Sequence, residues 1–159
     1  MATALSLQKT ITGYEDLGDL TQPIQALAQF YRAFNERDLA RMAENWDNSL
    51  EAAMDNPLGG ITRGWHDIRA VYERIFHSPH KVTVEFHDYS LHVFNDVFYA
   101  AGRERGRLES HLEAKETRVN LNFRTSRIFR RIDSQWRQVH HHGSIEDPQL
   151  LFVYQSAFH

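Results

Sequence analysis

The residues best equipped for chemistry in this chain are three consecutive histidines, His140-His141-His142, one aspartate in a turn, Asp55, and two arginines, Arg103 and Arg127. Histidine moves protons most readily near neutral pH, and a carboxylate raised by burial can serve as a base. Asp55, His140 and His142 are therefore the candidate catalytic residues. On a strand His140 and His142 share one face and His141 takes the other, and a one-residue slip would turn Val139 and His141 inward instead. A His-x-His pair could also ligate a metal, with His87 or Asp55 as third ligand, but a strand pair without a third ligand of fixed position does not specify one, and no metal or cofactor is assigned. Each arginine lies in the middle of a long alternating segment, Arg103 in period two with Tyr99 and Ala101, Arg127 with Phe129. If those faces line a pocket, the buried guanidinium groups need an anion. It could be a carboxylate or phosphate ligand, or an internal acid such as Glu104 or Asp55. Arg103, Arg127, Tyr99, Trp46, Asn56 and Tyr72 are the candidate ligand-binding set.

Composition limits the frame that can position these groups. The chain has 159 residues, 42% hydrophobic and 25% charged, with a formal net charge of −3. That is one domain of globular balance and not a dedicated nucleic-acid binder. The absence of cysteine excludes disulfide scaffolds, zinc–thiolate sites and thiol nucleophiles. No apolar run approaches the roughly 20 residues that span a bilayer. No targeting signal is evident, so the cytoplasm is the default compartment. Residues 1–20 lack any period and read as a flexible arm, followed by one domain over 21–159. Thr21-Gln22-Pro23 starts a helix whose apolar stripe runs from Ile24 through Leu27, Phe30, Tyr31 and Phe34. Asp38 caps a short second helix, and a third follows Gly64 with Ile68, Val71, Tyr72, Ile75 and Phe76 inward. The segment from Met54 to Gly60 is turn chemistry. From Lys81 onward the period becomes two: strands cover the regions of 81–93, 97–109, 118–131 and 136–144. Arg103, Arg105 and Arg107 alternate along one of them, to be screened by cross-strand acids. Helices followed by consecutive antiparallel strands give an α+β fold, three helices on a strongly curved sheet that encloses a pocket.

Three segments carry a family resemblance. Phe34-Asn35-Glu36-Arg37-Asp38-Leu39 resembles the first helix connection of the SnoaL-like, nuclear-transport-factor-2-like superfamily. Asp55-Asn56-Pro57-Leu58-Gly59, with Gly64 and Ile68-Arg69 beyond, resembles its acidic turn and third-helix start. Ser126 to Arg131 and Trp136 to Ser144 resemble the closing hairpin shared by SnoaL-like proteins and the calcium/calmodulin-dependent kinase II association domain. The resemblance covers about residues 23 to 146 and implies a cystatin-like cone assembled as a homodimer. In the steroid isomerases of this superfamily the base position corresponds to Asn56, the phenol to Phe30 and the oxyanion acid to Arg127. Asn takes up no proton at neutral pH and Phe donates no hydrogen bond, so the resemblance implies no isomerase of that type. What it implies is a small-molecule-binding protein, a lyase, isomerase or hydrolase acting on an organic anion or a polar cyclic metabolite. The rival reading is a non-catalytic assembly domain with a vestigial pocket.

Overall fold

The computed structural model describes residues 8–110 and 117–159, with the backbone only of Thr117. Helix α1 spans Pro23–Glu36, with Pro23 in its first turn. It stops at Arg37, whose left-handed backbone (φ 57°) closes the C-terminus. The Arg37 guanidinium donates to the carbonyls of Phe76, Ser78 and His80, which ties α1 to the third helix. Helix α2, Leu39–Asn45, is capped by the Asp38 carboxylate on the Arg41 amide. Short strands β1 (Ala53–Asp55) and β2 (Thr62–Arg63) flank the turn, and α3 covers Trp65–His77. Four long strands follow: β3 His80–Val93, β4 Val97–Ser110, β5 Thr117–Ile132 and β6 Gln135–Ile145.

All six strands form one sheet in the order β2-β1-β6-β5-β4-β3. Every pairing is antiparallel except β1 with β6, which is parallel. The sheet bends at two irregularities, one in β3 between His87 and Ser90 and one where β5 meets β6. Two glycines on the inner face of β4 permit the bend. A Cβ on Gly102 would lie 2.5 Å from Cβ of Tyr89, and one on Gly106 would lie 3.0 Å from Val84. Glycine inside a strand marks such close approach. The helices cover the concave face, where Phe30, Tyr31, Trp46, Ile68, Tyr72, Phe86, Phe98 and Phe129 form the core.

Two features add to the sequence expectation. The described part of the N-terminal arm packs on the sheet: Ile11 is buried and exchanges both backbone hydrogen bonds with Phe86, extending the β3 edge. Arg32 and Tyr89 hold the carbonyls of Gly13 and Lys9. Residues 1–7 of the expected arm lie outside the described residues. At the other end Pro148–Phe158 forms a fourth helix, α4, capped by Asp147. It places Tyr154 and Phe158 over the open end of the cone, at 5% and 3% exposure.

Candidate functional site in the cone

The centre of the concave face is a buried ion pair. Arg127 points inward from β5 at 1% exposure, and its Nη2 lies 2.7 Å from Glu104 Oε1 on β4. The register sets Arg127 opposite Ala100 and Glu104 opposite Phe123, so the guanidinium reaches along the sheet past small residues, Ala100 and Gly102. Its Nη1 donates to Gln138 Oε1 at 2.7 Å, and its Nε to the Tyr31 hydroxyl at 3.3 Å. Tyr31 in turn donates to Glu104 Oε1 at 2.9 Å. The guanidinium carbon stacks 3.5 Å from the centroid of the Phe30 ring. The network continues from Gln138 to Asn45, which also donates to Gln29 and the carbonyl of Ala26. A buried charge is tolerable only with such complete pairing. Burial opposes the charge on Arg127, yet the oxygens of Tyr31, Glu104 and Tyr72 outweigh it and hold its pKa above that of free arginine. Burial, reinforced by Glu104, holds the Tyr31 phenol well above its usual value.

Beside this pair lies a small cavity of about 40 Å³. That is room for a few waters and no more. Its wall is largely aromatic and aliphatic, with Phe30, Phe34, Tyr72, Phe123 and Tyr154. Its polar groups are Arg127, Glu104, Asn56 and His141. Burial pushes the Tyr72 phenol up to about 12. His141 sits in one inner row with Arg127 on β5 and Met54 on β1. It is buried, and its Nδ1 has no hydrogen-bond partner among the described residues. Burial, the Arg127 charge and the flanking histidines outweigh an opposing interaction with the Ser126 backbone and hold its pKa well below 6.5, so the imidazole is neutral.

The inward histidine is therefore His141, and the reason is a bulge. Phe129 pairs with Gln138 and Ile128 with His140, which leaves Val139 as an extra residue on β6. Trp136 and Gln138 point inward before the bulge, and His141, Gly143 and Ile145 after it. His140 and His142 face outward, half-exposed, away from the cone. The structure does bring them to Asp55. Parallel pairing sets Asp55 opposite His142, with Oδ2 2.7 Å from His142 Nδ1 and Oδ1 3.5 Å from His140 Nε2. The expected catalytic trio is thus assembled on the outer face, not in the pocket. Among the described residues no group of three histidines, aspartates or glutamates is arranged to hold a metal ion.

The ligand-binding set divides similarly. Arg127, Asn56 and Tyr72 line the cavity, although Asn56 uses its side-chain oxygen on the Leu58 amide. Trp46 is fully buried behind the wall, packed against Trp65 and Tyr72. Arg103 is on the outer face, bridged to Glu146 at 2.8 Å and to Asp88. Tyr99 shares that face, stacked on His92. The parity of β4 runs opposite to the expectation: Phe98, Ala100, Glu104 and Leu108 face inward. Sequence reasoning gave Glu104 only as a counter-charge and missed Gln138 and Tyr154. The signal for Glu104 was its parity with Gly102, Gly106 and Leu108, a series in which a lone acid must be buried.

Residues 24–148 match the SnoaL-like domain. The chain belongs to the SnoaL-like family. No curated protein matches the sequence. Solved structures support the same fold. A nuclear transport factor 2-like superfamily protein from Salmonella enterica serovar Typhimurium aligns with TM-score 0.69 at 20% identity, over 80% of this chain and 92% of that one. A ketosteroid isomerase-like protein from Erwinia carotovora atroseptica aligns with TM-score 0.64 at 15% identity, over 82% and 98%. The calcium/calmodulin-dependent kinase II hub of S. rosetta gives TM-score 0.62 at 15% identity, over 77% and 92%. A shared fold does not set function, so function must be argued from the site.

Proposed function

We propose that this SnoaL-like protein binds a small, uncharged polar cyclic molecule inside the cone, with His141 as the acid–base group that meets it. The observation that supports this most directly is the neutral, buried His141 ring with an unpartnered nitrogen at the wall of a largely apolar cavity that also holds the Arg127–Glu104 pair. An orphaned buried polar atom costs about 1–3 kcal/mol, which a hydroxyl or carbonyl of a ligand would recover. Of the two ligand classes expected from sequence, the geometry favours the uncharged one. Glu104 already balances Arg127, and a further anion would leave net negative charge in a low-dielectric site. If the ligand reacts, a neutral imidazole beside a fixed cation and a carboxylate suits proton transfer, the step common to lyases and isomerases. By the family resemblance Phe30 and Asn56 stand at the phenol and base positions of the steroid isomerases, so isomerisation of that type is not proposed. A ring is larger than the cavity, so entry requires Tyr154 and Phe158 of α4 to give way.

The near-filled cavity under α4 supports one rival reading, an assembly domain whose pocket is vestigial. Screening neutral cyclic alcohols, ketones and phenols by thermal shift separates the two. A ligand at 100 times its Kd adds about 2.7 kcal/mol of stability, and His141→Leu should abolish that gain. Absence of any hit, or hits indifferent to His141, would favour assembly. In either case we propose a homodimer. The apolar end of the outer face carries Val93, Phe94 and Tyr99, all exposed.

A further inference from the structure

The arginine ladder of β4 has a use that the cone does not absorb. Arg103 and Arg107 are turned outward with Arg105, and their neighbours screen them unequally. Arg103 has two acids, and among the described residues Arg107 has only Glu109 at 3.9 Å, which Arg118 shares at 3.4 Å. Among the described residues Arg105 has no carboxylate within ion-pair distance. Across the sheet, moreover, Arg103 stands directly opposite Arg124. Like charges in opposite positions destabilise a sheet, and Asp88 and Glu146 offset this at Arg103.

Arg105 and Arg107 project into a groove of about 660 Å³ on the outer side of β3, β4 and β5. That is the size of a small-molecule site. The register sets Arg107 between Thr83 and Asn120, which hydrogen-bond without competing for its charge, and Arg105 between Asn122 and Glu85. Among the described residues Glu85 is the one acid on the wall, and it is met by His87 at 3.1 Å. At the rim the docked arm presents Tyr14, 76% exposed. The groove is distinct from the expected dimer patch, because Tyr99 and Arg107 are eight residues apart on one strand, about 26 Å.

We infer that this groove is a second ligand site, for a phosphate-bearing small molecule. Two guanidinium forks two residues apart on one face can clamp adjacent phosphoryl groups, and the asparagine amides and Thr83 hydroxyl complete the donor set. A ligand that also carries a planar ring would place it on Tyr14. The inference is independent of what the cone binds.

Calorimetric titration of the full chain with inorganic pyrophosphate and with ADP tests it. Both should bind, with affinity falling as salt rises. The Arg105→Gln/Arg107→Gln variant should lose at least about tenfold for both. The same charge change on α3, Arg69→Gln/Arg74→Gln, should leave binding within about twofold. Tyr14→Ala should weaken ADP and spare pyrophosphate if the ring stacks, and weaken neither if phosphate alone is recognised. No binding of either probe at millimolar concentration and low salt, or an equal loss in the α3 control, would overturn the site.

Discussion

The buried Arg127–Glu104 pair explains why one acid and one base inside an apolar cone do not break it. The sequence presented Arg127 as a group in need of an anion, and left open whether a ligand or an internal acid supplies it. The internal acid does, because β4 turns Glu104 and not Arg103 inward. Removing one partner strands the other. Arg127→Leu should therefore cost about 3–5 kcal/mol in denaturant unfolding, and so should Glu104→Leu. The double variant should cost clearly less than the two losses added. Simple additivity would mean that the pair is not coupled. His141 makes a separate prediction. Its folded pKa lies well below the unfolded value of 6.5, so the unfolded chain binds a proton that the native ring refuses. Stability is then fully present above pH 6.5 and falls as pH drops below it, by up to about 1.4 kcal/mol per pH unit from this one group. The chain's Tm should decline from pH 7 to pH 5.5 more steeply than that of His141→Gln. Parallel curves would contradict burial of a neutral imidazole.

At the scale of elements, the helices and long strands were readable because their apolar periods are clean. The stripe from Ile24 to Phe34 can only be a helix face. The alternation from Val119 through Leu121 and Phe123 can only be a strand. What could not be read was the inward parity. In β4 the run Val97-Phe98-Tyr99-Ala100-Ala101 is apolar on both faces, so neither face declares itself. In β6 the extra residue Val139 moves the histidines by one, and no local signal announces a bulge. Helix α4 was missed because its apolar residues are spread around the helix rather than gathered on a stripe. Its role is legible only in three dimensions: Tyr154 and Phe158 close the cone, with Gln155 and His159 tied to the carbonyls of Pro57 and Leu58. Tyr154→Ala should then have two effects. Unfolding stability should fall by about 2–5 kcal/mol, the usual loss for a buried large side chain. Affinity for neutral cyclic ligands should rise, because the opened space admits a ring. A loss of stability with no change in ligand access would remove α4 from the entry route.

At the scale of the whole molecule, the concave and convex faces of the sheet do different work. The concave face holds the core and the cone. The convex face carries charge near Arg105 and Arg107 and exposed aromatic residues near Tyr99. An exposed apolar patch on a protein of this size marks an interaction surface. Light scattering should return twice the 18.6 kDa chain mass, and Tyr99→Glu should return a single chain. A monomer at micromolar concentration would refute the dimer. The claim on which the functional account turns is that the cone is the working pocket and His141 its polar contact. Long-range proton–nitrogen correlation spectra of the histidine rings test it most directly, taken with and without a neutral cyclic ligand found by screening. The account requires the His141 ring to stay neutral below the ordinary histidine range and its Nδ1 resonance to move when the ligand is added. A His141 ring that protonates at the ordinary value, or stays silent while only His140 and His142 respond, would contradict it.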